Sequence, residues 1–315
     1  SCSRAGRREK TPRRWRPVWP DRSTSTSIPA SRIHPATTES VQALVGQGWK
    51  THVLAVDHSG RLISDQYEGL PWHDIRLATV ILAHNETGVI QDLGPLAAAC
   101  QAHQVPLHVD AVQAVGKIPV DFHQLGATSL ALGAHKFHGP RGIGALLLQD
   151  GCTLAPFEFG GHQEAGRRPG TELVALAAGM ALALEGWNAD RDERTEHLQQ
   201  LRDQLQLGLQ EQAPPVVVNG HPEHRLPNTL NIAFPGIDGE ALLVALDLEN
   251  IACSLGSTCS SGSSEPAPAL VAMGRPAEIY TSSARFSVGI ENSAGEIHEA
   301  VQRISRVVSS LREAT

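Results

Sequence analysis

From His34 onward, short apolar runs alternate with stretches in which apolar side chains recur every three or four residues. Residues 52–56, 78–83, 105–109, 129–132 and 143–148 are rich in Val, Ile, Leu and Ala and are bounded by turn residues, which predicts buried strands. Helical spacing over 93–103 falls between two of them. Strands that are apolar throughout, with helices between them, predict an α/β fold with a mainly parallel sheet, because a strand covered on both faces has no polar side to show. Two long helical patterns follow, 172–187 and 191–212, and read as a bridge out of that sheet. Strand patterns at 216–218, 229–234 and 284–288 and a closing helix over 293–311 then predict a smaller α+β unit. The expected organisation is a large unit over 34–190 and a small one over 191–315.

Residues 1–33 break the pattern. They hold nine Arg or Lys against two acids, with prolines scattered between, and no strand or helix period runs through them. Such a segment buries too little apolar area to offset the entropy of ordering it, so it reads as disordered or aberrant. It has neither the apolar stretch of a secretory signal nor the uninterrupted amphipathic helix of a transit peptide.

Composition narrows the function classes. With 315 residues, 41% of them hydrophobic, the chain can bury a sizeable core. The most apolar segment, near 173–184, ends at Glu185, short of the roughly 20 residues a membrane span needs. A net charge of −7 gives no reason to expect nucleic acid or anionic membrane as partner. Cys2, Cys100, Cys152, Cys253 and Cys259 are odd in number and form no CxxC pair, against a disulfide framework or a zinc ribbon. The compartment they suit is a reducing one, most simply the cytoplasm, with one or two working thiols.

Candidate chemistry gathers at strand ends. Asp110-Ala111-Val112-Gln113 closes the strand pattern at 105–109, and Gly133-Ala134-His135-Lys136 closes the next. Side chains at the C-terminal ends of parallel strands line the ligand crevice of an open sheet. An acid and a lysine there suit a pyridine cofactor, the acid keeping the ring nitrogen protonated and the lysine forming the covalent link. A helix-capping Asp and a Lys reaching for solvent fit the local sequence equally well. His135 and His138 have an HxxH spacing but no third metal ligand, and 139–144 is glycine-rich without the Lys-Ser or Lys-Thr of a nucleotide loop. Cys259 lies in a run of Gly, Ser and Thr over 254–264, the composition of a mobile, exposed loop, whereas Cys253 after Ile251-Ala252 reads as a small core residue.

His34-Pro35-Ala36, Asn85-Glu86-Thr87-Gly88, Asp110-Ala111-Val112-Gln113, Ala134-His135-Lys136 and Arg167-Arg168-Pro169-Gly170-Thr171 occur in one order, followed by 226–231, Cys259 within 256–262, and Arg285-Phe286-Ser287. In this set and order the chain resembles the cysteine desulfurases of the class V aminotransferase fold, from about His34 to the C-terminus. The resemblance implies pyridoxal 5'-phosphate carried on Lys136, with Asp110 at the ring nitrogen, Gln113 at the ring hydroxyl, His34 stacked over the ring and His135 at the phosphate. It implies that Thr171 reaches the phosphate of a second copy, hence a homodimer, and that Asn85 and Arg285 hold the substrate carboxylate. L-cysteine would become L-alanine, with a persulfide on Cys259 passed to an acceptor protein for iron–sulfur cluster assembly or thiolation. A class V aminotransferase, a selenocysteine lyase and a degenerate paralogue with weak cofactor binding are the alternatives. Two departures stand out: the family's Ala-Thr-Glu phosphate loop has no counterpart in residues 1–33, and Gly133 stands where Ser is usual. Weakened phosphate binding is the expected consequence.

Overall fold

The computed structural model of the chain describes residues 26–29, 34–255 and 267–314, and two sheets organise them. The larger is built from β1 (Thr26–Pro29), β2 (Lys50–Thr51), β3 (Ile75–Ile81), β4 (Leu107–Asp110), β5 (Ser129–Gly133) and β6 (Gly144–Leu148), in the order β2-β1-β3-β4-β5-β6. Its pairings are parallel except between β5 and β6. Helices α1 (Pro35–Val45) and α2 (Gly94–Ala102) belong to this layer, α2 forming the crossover from β3 to β4. Ala78, Val80, Leu96, Leu107, Val109 and Leu130 form its core, each almost wholly buried. Central strands covered on both faces must be apolar along their length, which is why the runs at 78–83 and 105–109 are legible.

Two expectations need correction. Residues 26–29, within the segment expected to lack strands, form β1, paired with β3 in the register Thr26 to Ile75 and Pro29 to Thr79. Four residues ending in proline carry too little alternation to announce a strand. The strand expected at 52–56 does not form: β2 ends at Thr51, and an isolated antiparallel bridge between Val56 and Leu62 follows. There Asp57 Oδ1 accepts hydrogen bonds from the amides of Ser59 and Arg61, at 2.8 and 2.9 Å, and the chain reverses before a strand can extend.

A single-turn α3 (Gln163–Gly166) precedes the long helices α4 (Val174–Ala189) and α5 (Arg191–Gln212). The second sheet is antiparallel, with β7 (Val217–Asn219), β8 (Thr229–Ala233), β9 (Ser254–Leu255) and β10 (Ser283–Ser287) in the order β7-β8-β10-β9. Helices α6 (Gly239–Leu248), α7 (Pro268–Ala272), α8 (Ala277–Tyr280) and α9 (Ala294–Glu313) complete this half. Ile297, Val301, Ile304 and Val308 make the buried stripe of α9, and Leu198, Leu201, Leu205 and Leu209 that of α5, at the three-to-four spacing helix packing requires. The two helices cross closely at Gly208, where an added Cβ would lie 2.7 Å from a Val301 methyl. Ser293 opens α9 with a capping box, accepting from the Glu296 amide while the Glu296 carboxylate accepts from Ser293. None of the described helices is long and apolar enough to cross a membrane.

Candidate active site

Where the two sheets meet, a cavity of about 260 Å³ opens, and the groups that wall it come from both. Lys136 reaches it from the 3-10 turn Ala134–Lys136, directly after β5. Gln113 and Lys117 reach it from a helical turn after β4, in which the amides of Ala114 and Val115 donate to the Ala111 carbonyl and that of Lys117 to the Ala114 carbonyl. This turn is pressed against the Lys136 turn. A Cβ on Gly116, whose φ is +75°, would sit 2.1 Å from the Phe137 Cβ, so glycine alone permits the approach.

Asn85 comes from the turn that follows β3, and Arg285 from β10. Arg285 Nη1 donates to the Asn85 carbonyl at 3.0 Å, and Asn231 Nδ2 of β8 donates to the Glu86 carbonyl at 3.3 Å. Asn231 is itself held by Asn219, whose amide also reaches Ser283. The 84–88 turn is therefore fastened to the small sheet by side chains of two of its strands, one of them braced by a third. Gly88, at φ +74°, closes this turn against Thr229, where a Cβ would meet Thr229 Cβ at 3.1 Å.

The electrostatics of the cavity run one way. Lys117, Lys136, Arg194 and Arg285 line it, and among the described residues no Asp or Glu does. Burial, reinforced by the charges of Lys136 and Arg285, pushes the Lys117 ammonium down to about 8. Nε of Arg285 is buried without a hydrogen-bond partner. A cavity of this kind suits an anion, since a lysine in a poorly hydrated space can shed its proton but an arginine keeps its charge, which opposite charge then relieves.

Behind Arg285, burial pushes the Glu86 carboxyl up from 4.5 to about 7, with Arg285 pulling the other way, and its Oε2 is buried without a hydrogen-bond partner. A carboxyl raised on folding binds its proton more tightly folded than unfolded, so stability is fully present below about 4.5 and is lost as pH rises toward about 7. Glu86→Gln removes the ionisation and is expected to stabilise the protein at pH 8 by up to about 3 kcal/mol, and by little at pH 5. Urea melts of both proteins at the two pH values check this; equal stabilities at pH 8 would refute the buried-carboxyl account.

Of the residues singled out in the sequence, Asn85, Gln113, His135, Lys136 and Arg285 come together around the cavity. Asp110 ends β4 beside them but is not part of the wall, and its Oδ1 accepts from the Val112 amide at 3.0 Å. Its charge is felt at His108, whose pKa burial lowers and Asp110 raises, the net direction being down. His34 is not brought to the cavity: it is exposed and caps α1, its Nδ1 accepting from the Ala36 amide at 3.2 Å. Thr171 is exposed before α4 and is also outside the wall. Cys259 lies outside the described residues, which break off after Leu255 and resume at Ala267. Lys117 and Arg194 were not picked out as site groups. The signal for Lys117 was its four-residue spacing from Gln113, which puts both on one face of a helical turn.

Residues 28–299 match the family described as Aminotransferase class-V. The chain belongs to that family. Its similarity within the class V aminotransferases is to cysteine desulfurases: it is 38% identical over 282 residues to "Cysteine desulfurase NifS" of Azotobacter vinelandii, an alignment covering 90% of this chain and 70% of the relative. It is 40% identical over 268 residues to "Cysteine desulfurase" of Sinorhizobium fredii, covering 85% and 69%. Among solved structures, "NIFS-LIKE PROTEIN" superposes with a TM-score of 0.84 at 31% identity, over 91% of this chain and 76% of that one.

Proposed function

We propose that the chain is a cysteine desulfurase that removes sulfur from L-cysteine, releases L-alanine and leaves a persulfide on Cys259. The observation that carries this is the cavity, lined by no Asp or Glu among the described residues, in which Lys136, Lys117 and Arg285 converge beside Asn85 and Gln113. Pyridoxal phosphate matches that donor set. Its phosphate is a dianion that needs cations and donors, its aldehyde needs an amine and its ring oxygen needs a donor, while the acid its ring nitrogen needs would come from Asp110, at the end of β4 beside the wall. When bound, it supplies an electron sink for the charge that develops at the substrate Cα.

The chain's own groups do the rest. Lys136 carries the cofactor and, once its amine is free, removes the Cα proton as general base. Arg285 takes the substrate carboxylate, with the Asn85 side chain beside it. The Asn85 carbonyl takes Arg285 Nη1 and leaves Nε without a hydrogen-bond partner. The Cys259 thiolate attacks the substrate sulfur. The S–S bond forms as the C–S bond breaks, and the bonding pair returns to carbon, which a proton converts to the methyl group of alanine. Cysteine plus thiol thus gives alanine plus persulfide with no outside oxidant. His135 stands at the phosphate side, His34 and Thr171 remain candidates for the ring face and for a second copy's phosphate, and an acceptor protein then takes the sulfur.

Apolar surface supports the homodimer. Helix α4 buries no residue, Leu173, Val174 and Leu182 are exposed, and Phe157 and Phe159 are 96% and 86% exposed. Exposed aromatic and aliphatic side chains so grouped mark an interface, and α4 and the 157–159 loop adjoin Thr171 in sequence. Cofactor-binding residues over 34–190, a small unit over 191–315 and a cytoplasmic location complete the proposal.

The deciding experiment adds L-cysteine to protein loaded with pyridoxal phosphate and measures alanine and protein-bound persulfide together. One alanine per persulfide before any reductant is added supports the reading, and pyruvate or a transaminated product in place of alanine would sink it. Arg285→Ala is expected to raise KM for cysteine by on the order of a hundredfold, because a charge-assisted pair is worth roughly 1.5 to 3 kcal/mol and the substrate keeps Asn85.

A further inference from the structure

We propose that Lys117 is a positioning residue that locks the Gln113 amide with its NH2 toward the cavity, so that Gln113 can only donate to the group bound there. This rests on the cofactor assignment above. The geometry is direct: Lys117 Nζ donates to Gln113 Oε1, and both side chains line the cavity that Lys136 and Arg285 share.

An ammonium has three donors and no acceptor, so the amide atom that faces it must be the oxygen. The other end of the amide, two N–H donors, is then what Gln113 offers to a ligand. Without Lys117, rotation of the amide by half a turn exchanges oxygen and nitrogen at almost no steric cost, and the oxygen would face a ring oxygen it repels. Lys117 is itself fixed. It sits in the same helical turn as Gln113, backed by Gly116 against Phe137, in a place where its ammonium is poorly hydrated and Gln113 is a neutral acceptor among cations. Titratable and charged groups lining the same space are His135, His138, Lys136, Arg194 and Arg285.

A donor fixed toward the ring oxygen favours its anionic form, which shifts the proton balance of the bound cofactor. The test records the visible absorption band of the loaded enzyme against pH in the parent, Lys117→Met and Lys117→Arg, each with Gln113 intact and with Gln113→Leu. With Gln113 intact, Lys117→Met is expected to raise the midpoint by about one unit, the scale of a lost charge-assisted contact. Lys117→Arg, which keeps donors and charge, should move it less than half as far. In the Gln113→Leu background the effect of Lys117→Met should shrink to less than half. No shift in Lys117→Met, or the same shift with and without Gln113, overturns the proposal, the second result making Lys117 a bare charge. If Lys117→Met does not fold, Lys117→Leu, which also lacks a donor, carries the same comparison. A parent without a visible band would refute the cofactor assignment instead. The cofactor-free protein would then decide about Lys117. Its Gln113 side-chain carbonyl carbon, followed by NMR, should titrate in the parent together with Lys117 and stay flat in Lys117→Met, and a flat parent signal would overturn the lock.

Discussion

Lys136→Ala leaves no cofactor fixed to the protein after borohydride reduction, and turnover falls by three orders of magnitude or more. The reason is position. Lys136 ends the turn after β5, next to the end of β4 where Asp110 pairs with Ala131, so its amine and that carboxylate belong to neighbouring strand ends. In the proposed function it is both the covalent attachment point and the general base, and a general base alone contributes about 10²- to 10⁴-fold. Lys117 is the rival, since it lines the same cavity. Its ammonium is committed to Gln113. Peptide mapping after reduction decides between them: label on Lys136 in the parent and none in the variant is expected, while label on Lys117 in the parent would reverse the assignment.

Cys259→Ser keeps the cofactor and its spectrum but forms neither persulfide nor alanine from cysteine. A serine hydroxyl does not ionise near neutral pH and cannot carry sulfane sulfur. Two of the described thiols, Cys100 and Cys253, are poor substitutes. Burial pushes Cys100 up to about 12, and burial with Asp247 beside it pushes Cys253 up to about 11. At pH 7.5 such groups are thiolate in on the order of one molecule in a thousand or fewer, and only the thiolate attacks sulfur. Transfer should therefore drop by at least about 10³-fold, read as persulfide per subunit and as initial alanine rate. Persistent turnover in the serine variant would point to an aminotransferase or lyase.

The fold was legible where burial imposes a period. Strands β3 to β6 of the large sheet, three strands of the small antiparallel sheet and the span of α9 left clear marks, because apolar runs and apolar stripes follow directly from what must be buried. β1 left none, since a four-residue strand is defined by its neighbours rather than by its own sequence. The site was legible as motifs but not as geometry. Asn85 and Arg285 are 200 positions apart, and nothing local says that one donates to the carbonyl of the other. Lys117 reads in the sequence as a turn residue after Gly116, and its inward position shows only in three dimensions, in the contact of Gly116 with Phe137 and the bond to Gln113.

The fastening of the 84–88 turn to the small sheet also makes recognition and architecture one mechanical part. Arg285 grips its own scaffold with one nitrogen and also lines the cavity, and Asn231 holds the neighbouring carbonyl. A carboxylate drawn onto Arg285 therefore tightens the joint between the two halves of the molecule. Amide exchange at 84–90 and 283–287 should slow when an unreactive carboxylate analogue binds, and loosening that joint should cost affinity even where no contact to the ligand is lost.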